Sequence, residues 1–232
     1  MIDRYRDQFA EYMEDSSHIS VFITAANGAV VLDRTLGLPE SPMGLVIFAH
    51  GSGSSRMSPR NRYVADQLNA AGLATLLFDL LTDDEALDKR NVFDIELLAK
   101  RVGSALDWCA SDARTSHLRR GLFGSSTGAA AALQAAAYHP RHVNAVVSRG
   151  GRPDLAKDAL PGVMVPTMLI VGEKDTTVLI LNRHAARSLT CDTTIEVVPG
   201  ATHLFKEPGA LDQVVRHATE WFRQHLDTHS PA

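Results

Sequence analysis

Hydrophobic positions along this chain change their rhythm once, at Gly44. Before it, Ile2, Tyr5, Phe9, Tyr12 and Met13 recur at three- and four-residue spacings among acidic and basic residues. That spacing predicts an amphipathic helix over 1–16, packed on the body of the protein. Residues 18–24 and 29–35 are β-rich and flank Ala26-Asn27-Gly28. Asn-Gly between two such runs predicts an antiparallel hairpin. Residues 36–43, with two prolines, read as a connection.

After Gly44 the apolar residues fall into short unbroken runs, beginning with Leu45-Val46-Ile47-Phe48-Ala49. Unbroken runs are the mark of strands covered on both faces. They predict strands at 45–49, 73–78, 143–148, 167–171 and 194–198, and one more ending just before residue 126. Helices are expected over 60–71, 92–110, from 127 onward, 178–189 and 211–226. Strands alternating with helices predict an α/β fold, with a mostly parallel sheet flanked by helices and the hairpin at one edge. No internal repeat or low-complexity linker interrupts it, so a single domain over 1–232 is expected.

Composition narrows the class. At 232 residues and 45% hydrophobic, the chain can bury one sizeable core. A net charge of −4 without a basic stripe argues against nucleic acid as partner. Cys109 and Cys191 lack metal-site spacing and read as free thiols. No apolar run reaches membrane-spanning length, and the N-terminus lacks the apolar core of a signal peptide. The expectation is a soluble cytoplasmic protein.

Chemistry concentrates at Gly124-Ser125-Ser126-Thr127-Gly128, between an apolar run and Ala129-Ala130-Ala131-Ala132-Leu133. Gly-x-Ser-x-Gly between strand and helix is a nucleophile elbow. The sharp turn strains the serine and lifts its Oγ outward, and the neighbouring residues crowd so closely that they must lack side chains. Ser126 has glycine at both offsets, whereas Ser125 has Phe123 two residues before it.

A serine nucleophile needs a base, and the base needs an acid to orient it. Asp175 follows the 167–171 run within Gly172-Glu173-Lys174-Asp175, and His203 follows the next run after Pro199-Gly200. Both fall at the carboxyl edge of a parallel sheet, where Ser126 must also lie. The order Ser, Asp, His is that of α/β-hydrolases. Glu173 and Asp154 stay open as rival acids. His184 and His217 fall inside predicted helices. Two backbone N–H groups should meet the developing oxyanion. Thr127, directly after the nucleophile, supplies one, and Ser52 in His50-Gly51-Ser52-Gly53-Ser54-Ser55 supplies the other.

That loop also supports a rival. Gly51-x-Gly53 after a strand, with Asp79 ending the next, mimics a dinucleotide fingerprint. Arg56, however, occupies the third glycine position, and the reading leaves Ser126, Asp175 and His203 without a role.

From about His18 the chain resembles the α/β-hydrolase superfamily, and within it the dienelactone-hydrolase-like group. The resemblance rests on His50 through Arg56 with Ser58-Pro59-Arg60-Asn61, on Phe78-Asp79-Leu80-Leu81-Thr82, on the Ser126 elbow, on Ser148-Arg149-Gly150-Gly151-Arg152-Pro153-Asp154, and on the Asp175 and His203 loops. It implies ester or lactone hydrolysis without metal or organic cofactor. Dienelactone hydrolases proper carry cysteine where this chain has Ser126, which separates it from the dienelactone substrate itself. More narrowly, the chain is similar to the serine macrolide esterases, which open the lactone ring of macrolide antibiotics.

Residues 149–166 leave room for only a loop and a short helix, so no lid domain is expected, and an open mouth suits a bulky substrate. His50, Gly51, Asp79 and Arg149 are the candidate substrate-site residues. Arg149 and Arg152 could instead pair with Asp154 or Asp79. His225 and His229, four apart on a helix, lack a third ligand and read as a solvated face. The expected partner is a small-molecule ester or lactone, with no nucleic acid and no membrane. A general carboxylesterase, an acyl transferase and a non-catalytic hydrolase-fold protein remain the alternatives.

Overall fold

The computed structural model describes residues 18–25 and 30–227, with side chains from residue 30 onward. The helix expected over 1–16 and the turn at 26–28 lie outside the described residues. The sheet has eight strands: β1 His18–Ala25, β2 Val30–Gly37, β3 Leu45–Ala49, β4 Ala74–Phe78, β5 Arg120–Ser125, β6 Ala145–Arg149, β7 Thr167–Gly172 and β8 Thr193–Val198. Their order is β1-β2-β4-β3-β5-β6-β7-β8. The β1–β2 and β2–β4 pairs are antiparallel, and all pairs from β4 to β8 are parallel. This is the mostly parallel α/β sheet expected from the alternating pattern, in the α/β-hydrolase arrangement that the resemblance implies.

Among the described residues five longer helices accompany the sheet: α1 Pro59–Ala70, α4 Ile95–Ser111, α5 Thr127–Tyr138, α6 Thr176–Ala186 and α7 Ala210–Leu226. Two single turns, α2 Asp83–Ala86 and α3 Lys89–Val92, precede α4. The sequence pattern placed the start of α4 near residue 92. In the structure Asp94 caps it, accepting from the Leu97 N–H at 3.0 Å. The first of the two turns, α2, is nucleated by a capping box, in which Thr82 and Glu85 satisfy each other's backbone N–H.

Strand residues alternate between two cores. Ile47, Leu76, Leu122, Val146 and Leu169 pack with α4 and α5, whereas Val46, Phe48, Phe123, Val147 and Met168 pack with α1 and α7. Helix α7 buries Val214, Ala218, Trp221 and Phe222 along one stripe. Each fully buried Leu or Phe side chain contributes about 1.5–3 kcal/mol. Burial on both faces is why these strands read as unbroken apolar runs. Between β6 and β7 stand only two short 3-10 turns, Pro153–Ala156 and Leu160–Gly162, and no lid. Among the described residues no helix is long and apolar enough to cross a membrane.

Candidate active site

The β5–α5 junction is a single residue. Ser126 has φ 52° and ψ −121°, a conformation side chains rarely adopt. Such a residue costs about 1–3 kcal/mol and persists only where its surroundings over-determine it. Here the Ser126 N–H donates to the Arg149 carbonyl (3.3 Å), and its own carbonyl accepts from the Ala129 and Arg152 N–H groups (3.1 and 3.0 Å). A Cβ on Gly124 would strike the Ala129 backbone, and one on Gly128 would strike the carbonyl oxygens of Ala49 and His50. The elbow is therefore crowded from the end of β3 as well as from within. Ser126 is half-buried, whereas Ser125 is 3% exposed and turns its hydroxyl to Asn61 Oδ1 at 3.2 Å.

Asp175 occupies the N-cap position of α6 but makes no capping bond. Its Oδ2 instead accepts from His203 Nδ1 at 2.6 Å. A carboxylate only accepts, so the proton sits on Nδ1 and Nε2 keeps its lone pair. The two loops are laced together, with the Lys174 N–H donating to the Ala201 carbonyl (2.9 Å) and the Glu173 N–H to the Val198 carbonyl (3.0 Å). The rival acids are engaged elsewhere. Glu173 accepts from the Gly200 N–H (2.7 Å), and Asp154 takes both arms of Arg152 (2.8 and 2.7 Å).

The loop after β3 lies against the elbow: a Cβ on Gly51 would sit 3.0 Å from Ser126 Cβ. Thr127 heads α5, so its N–H is among those left without an intrahelical acceptor. The Ser52 N–H donates to Thr127 Oγ1 at 2.8 Å. The two expected oxyanion donors are thus adjacent, and the Thr127 hydroxyl holds the Ser52 amide in place.

The remaining candidates brace the site. Asp79 accepts from the Arg56 backbone N–H (2.6 Å) and pairs with the Arg56 guanidinium, which also reaches Asp33 (3.2 Å). Of the pairings considered for Arg149 and Arg152, the structure makes Arg152–Asp154, two residues apart in one turn, while Asp79 is taken by Arg56 from the neighbouring loop after β3 and Arg149 pairs with neither acid. Arg149 is 7% exposed, donates to Asn61 Oδ1 (3.3 Å) and stands over the Phe205 ring at 5.9 Å. Burial, reinforced by the Arg60 charge, brings its pKa down to about 10. Sequence reasoning assigned Asn61 no role, although it lies in the Ser58-Pro59-Arg60-Asn61 motif; its bridge between Ser125 and Arg149 spans three distant segments.

His50 ties two loops together. Its Nε2 accepts from the Leu80 N–H (3.0 Å), leaving the proton on Nδ1 to meet the Gly51 carbonyl (3.1 Å). Burial lowers its pKa below the ordinary 6.5. The unfolded chain therefore takes up this proton first, so the stabilisation is complete above about pH 6.5 and is lost as pH falls below it. His225, also lowered by burial, acts in the same direction. We expect the melting temperature of the parent to drop on acidification below that value. In His50→Gln, whose side chain can still accept from Leu80, the drop should be shallower, and equal slopes in thermal melts across pH would refute the assignment.

The profile of the dienelactone hydrolase family matches residues 32–227. The chain belongs to the dienelactone hydrolase family. A dienelactone hydrolase from Anabaena variabilis is 51% identical, with a TM-score of 0.87 over 90% of this chain and 98% of that one. Est1E from Butyrivibrio proteoclasticus, 15% identical, shares the fold at a TM-score of 0.75 over 88% and 98%. Two Mycobacterium tuberculosis proteins, provisionally named phosphoribosyl transferases, are 56% identical over 199 residues, 86% of this chain. This chain spans 45% of their length, about half.

Proposed function

We infer that this protein hydrolyses carboxylic esters or lactones through Ser126, His203 and Asp175. The observation that carries the reading is the 2.6 Å His203–Asp175 pair on the same sheet edge as the strained Ser126. His203 Nε2 takes the Ser126 hydroxyl proton as Oγ attacks the ester carbon. The oxyanion forms against the Thr127 N–H, and against the Ser52 N–H once the Thr127 hydroxyl yields it. Collapse breaks the acyl C–O bond, and His203 returns the proton to the leaving alkoxide. Water, deprotonated by His203, then cleaves the acyl-enzyme and releases the acid. None of these steps requires a metal, so activity should withstand chelators.

The substrate we favour is a large apolar lactone of the macrolide kind. Two features support it. Nothing but short turns stands between β6 and β7. Met57, Leu87, Phe93, Leu155 and Leu204 are exposed, and all lie in connections that leave the carboxyl ends of parallel strands, the sheet edge that carries Ser126. Apolar side chains exposed around such an edge offer contact area to an apolar substrate. Opening a macrocycle leaves the alcohol tethered to the acyl-enzyme, able to close the ring again. An open, wet mouth favours water in that competition.

The product should be a linear hydroxy acid one water heavier than the macrolide, with its sugars retained. Mass spectrometry of a macrolide and a short p-nitrophenyl ester, each with parent and Ser126→Ala, provides the test. The macrolide should give the higher kcat/KM. Turnover of small esters or dienelactones with the macrolide untouched would end the macrolide reading and leave the triad standing. Undiminished turnover by Ser126→Ala would end the triad.

A further inference from the structure

At the amino edge of the sheet, remote from Ser126, a second group of side chains has chemistry that ester hydrolysis does not use. Asp107 lies near the end of α4, His139 caps the end of α5, and His142 follows three residues later. One donor atom from each lies within 4.8 Å of the others. Because α5 has 12 residues, the group stands about 18 Å of helix away from the elbow.

Ordinary hydrogen bonding does not account for the arrangement. His142 Nδ1 faces Asp107 Oδ1 at 3.9 Å, too far for a hydrogen bond. The same Nδ1 is closed off from solvent and has no hydrogen-bond partner among the described residues. Buried polar atoms without partners are uncommon and call for an explanation. In a tetrahedral zinc site, with bonds of about 2.0–2.2 Å, donor atoms stand roughly 3.3–3.6 Å apart. The His–Asp separation exceeds that by a few tenths of an ångström, a gap that small side-chain rotations close.

Two further features favour a cation here. A Cβ on Gly103, one turn before Asp107 on α4, would lie 2.7 Å from His139 Nε2, so this glycine makes the cradle in which the ring lies. Helices α4 and α5 both end at this edge, and neither carries a basic residue in its last turn. The negative ends of both helix dipoles therefore favour positive charge. The backbone fixes the second histidine relative to the first, through the His142 N–H donating to the His139 carbonyl at 2.9 Å.

We propose that Asp107, His139 and His142 form a binding site for a divalent transition-metal ion, zinc foremost, that clamps the end of α4 to the end of α5. Two imidazoles and one carboxylate are the donor set of a borderline ion rather than of calcium or magnesium. A water completes the tetrahedron. The ion ties together two helices that pack on the same core, and its role is structural, not catalytic.

Zinc chloride titrated calorimetrically into the full chain, first freed of metal with a chelator, tests the site. One saturable equivalent is expected, with a rise in melting temperature as zinc is added. His139→Ala/His142→Ala should lower the affinity by more than about 100-fold, since losing a ligand's outer partner alone costs 10–100-fold. Its metal-free melting temperature and fluorophosphonate labelling should match the parent's, which shows that the fold is intact. His203→Ala, which alters the histidine–carboxylate pair on the carboxyl edge, should bind zinc as the parent does. Parent-like affinity in the double variant, or no saturable binding by the parent, would overturn the proposal.

Discussion

Ser126→Ala is expected to reduce kcat by about 10⁴-fold or more on any ester the parent hydrolyses. The magnitude follows from the division of labour at the elbow. The backbone bonds that hold Ser126 at φ 52° come from Arg149, Arg152 and Ala129, and none involves its hydroxyl. Alanine keeps the Cβ that packs against Gly51, so the loop after β3 stays in place. The variant should therefore fold with a melting temperature close to the parent's and retain substrate binding while losing the attacking oxygen. A fluorophosphonate should label the parent at Ser126 and leave the variant unlabelled. Ser125→Ala should still be labelled, because the Ser125 hydroxyl is directed into the interior at Asn61. A label found on Ser125 or Cys191 would disprove the assignment.

Asp175→Asn is expected to lower kcat by about 10⁴-fold with KM nearly unchanged. The carboxylate can only accept, so it holds the His203 proton on Nδ1 and leaves Nε2 basic. An amide can instead donate to Nδ1, which moves the proton to Nε2, where no base is left for Ser126. The neighbouring acids set the contrast. Glu173→Gln keeps an acceptor for the Gly200 N–H, and Asp154→Asn disturbs a partly exposed pair of a kind that contributes about 0–1 kcal/mol. Both should retain most of the parent's turnover. A crippled Glu173→Gln or Asp154→Asn beside an active Asp175→Asn would overturn the choice of acid.

The sequence by itself determined the parallel α/β sheet and the edge on which its chemistry lies. Unbroken apolar runs at β3 through β7 can be stable only with both faces covered, and a one-residue strand-to-helix turn framed by Gly124 and Gly128 has few uses besides presenting Ser126. These are local facts, written in consecutive residues. The short turns α2 and α3 were less visible, because four-residue helices have no periodicity to detect and depend on single caps such as Thr82.

Tertiary structure decided which charged groups meet. Asp175 and Glu173 stand two residues apart in one loop, and sequence gives both the same reach. Only the lacing of that loop to Ala201 and Val198 aims Asp175 at His203 and Glu173 at Gly200. Arg149, a candidate to grip substrate, is enclosed with Asn61 and Phe205. Arg56, read from sequence as the end of the His50 loop motif and as a missing glycine but given no partner, holds Asp79. His139 and His142 acquire Asp107 as a neighbour because α4 and α5 end side by side. Side-chain pairing depends on distances between segments that lie tens of residues apart. Such distances are set by strand order and helix packing, and periodicity along a single chain carries no record of them.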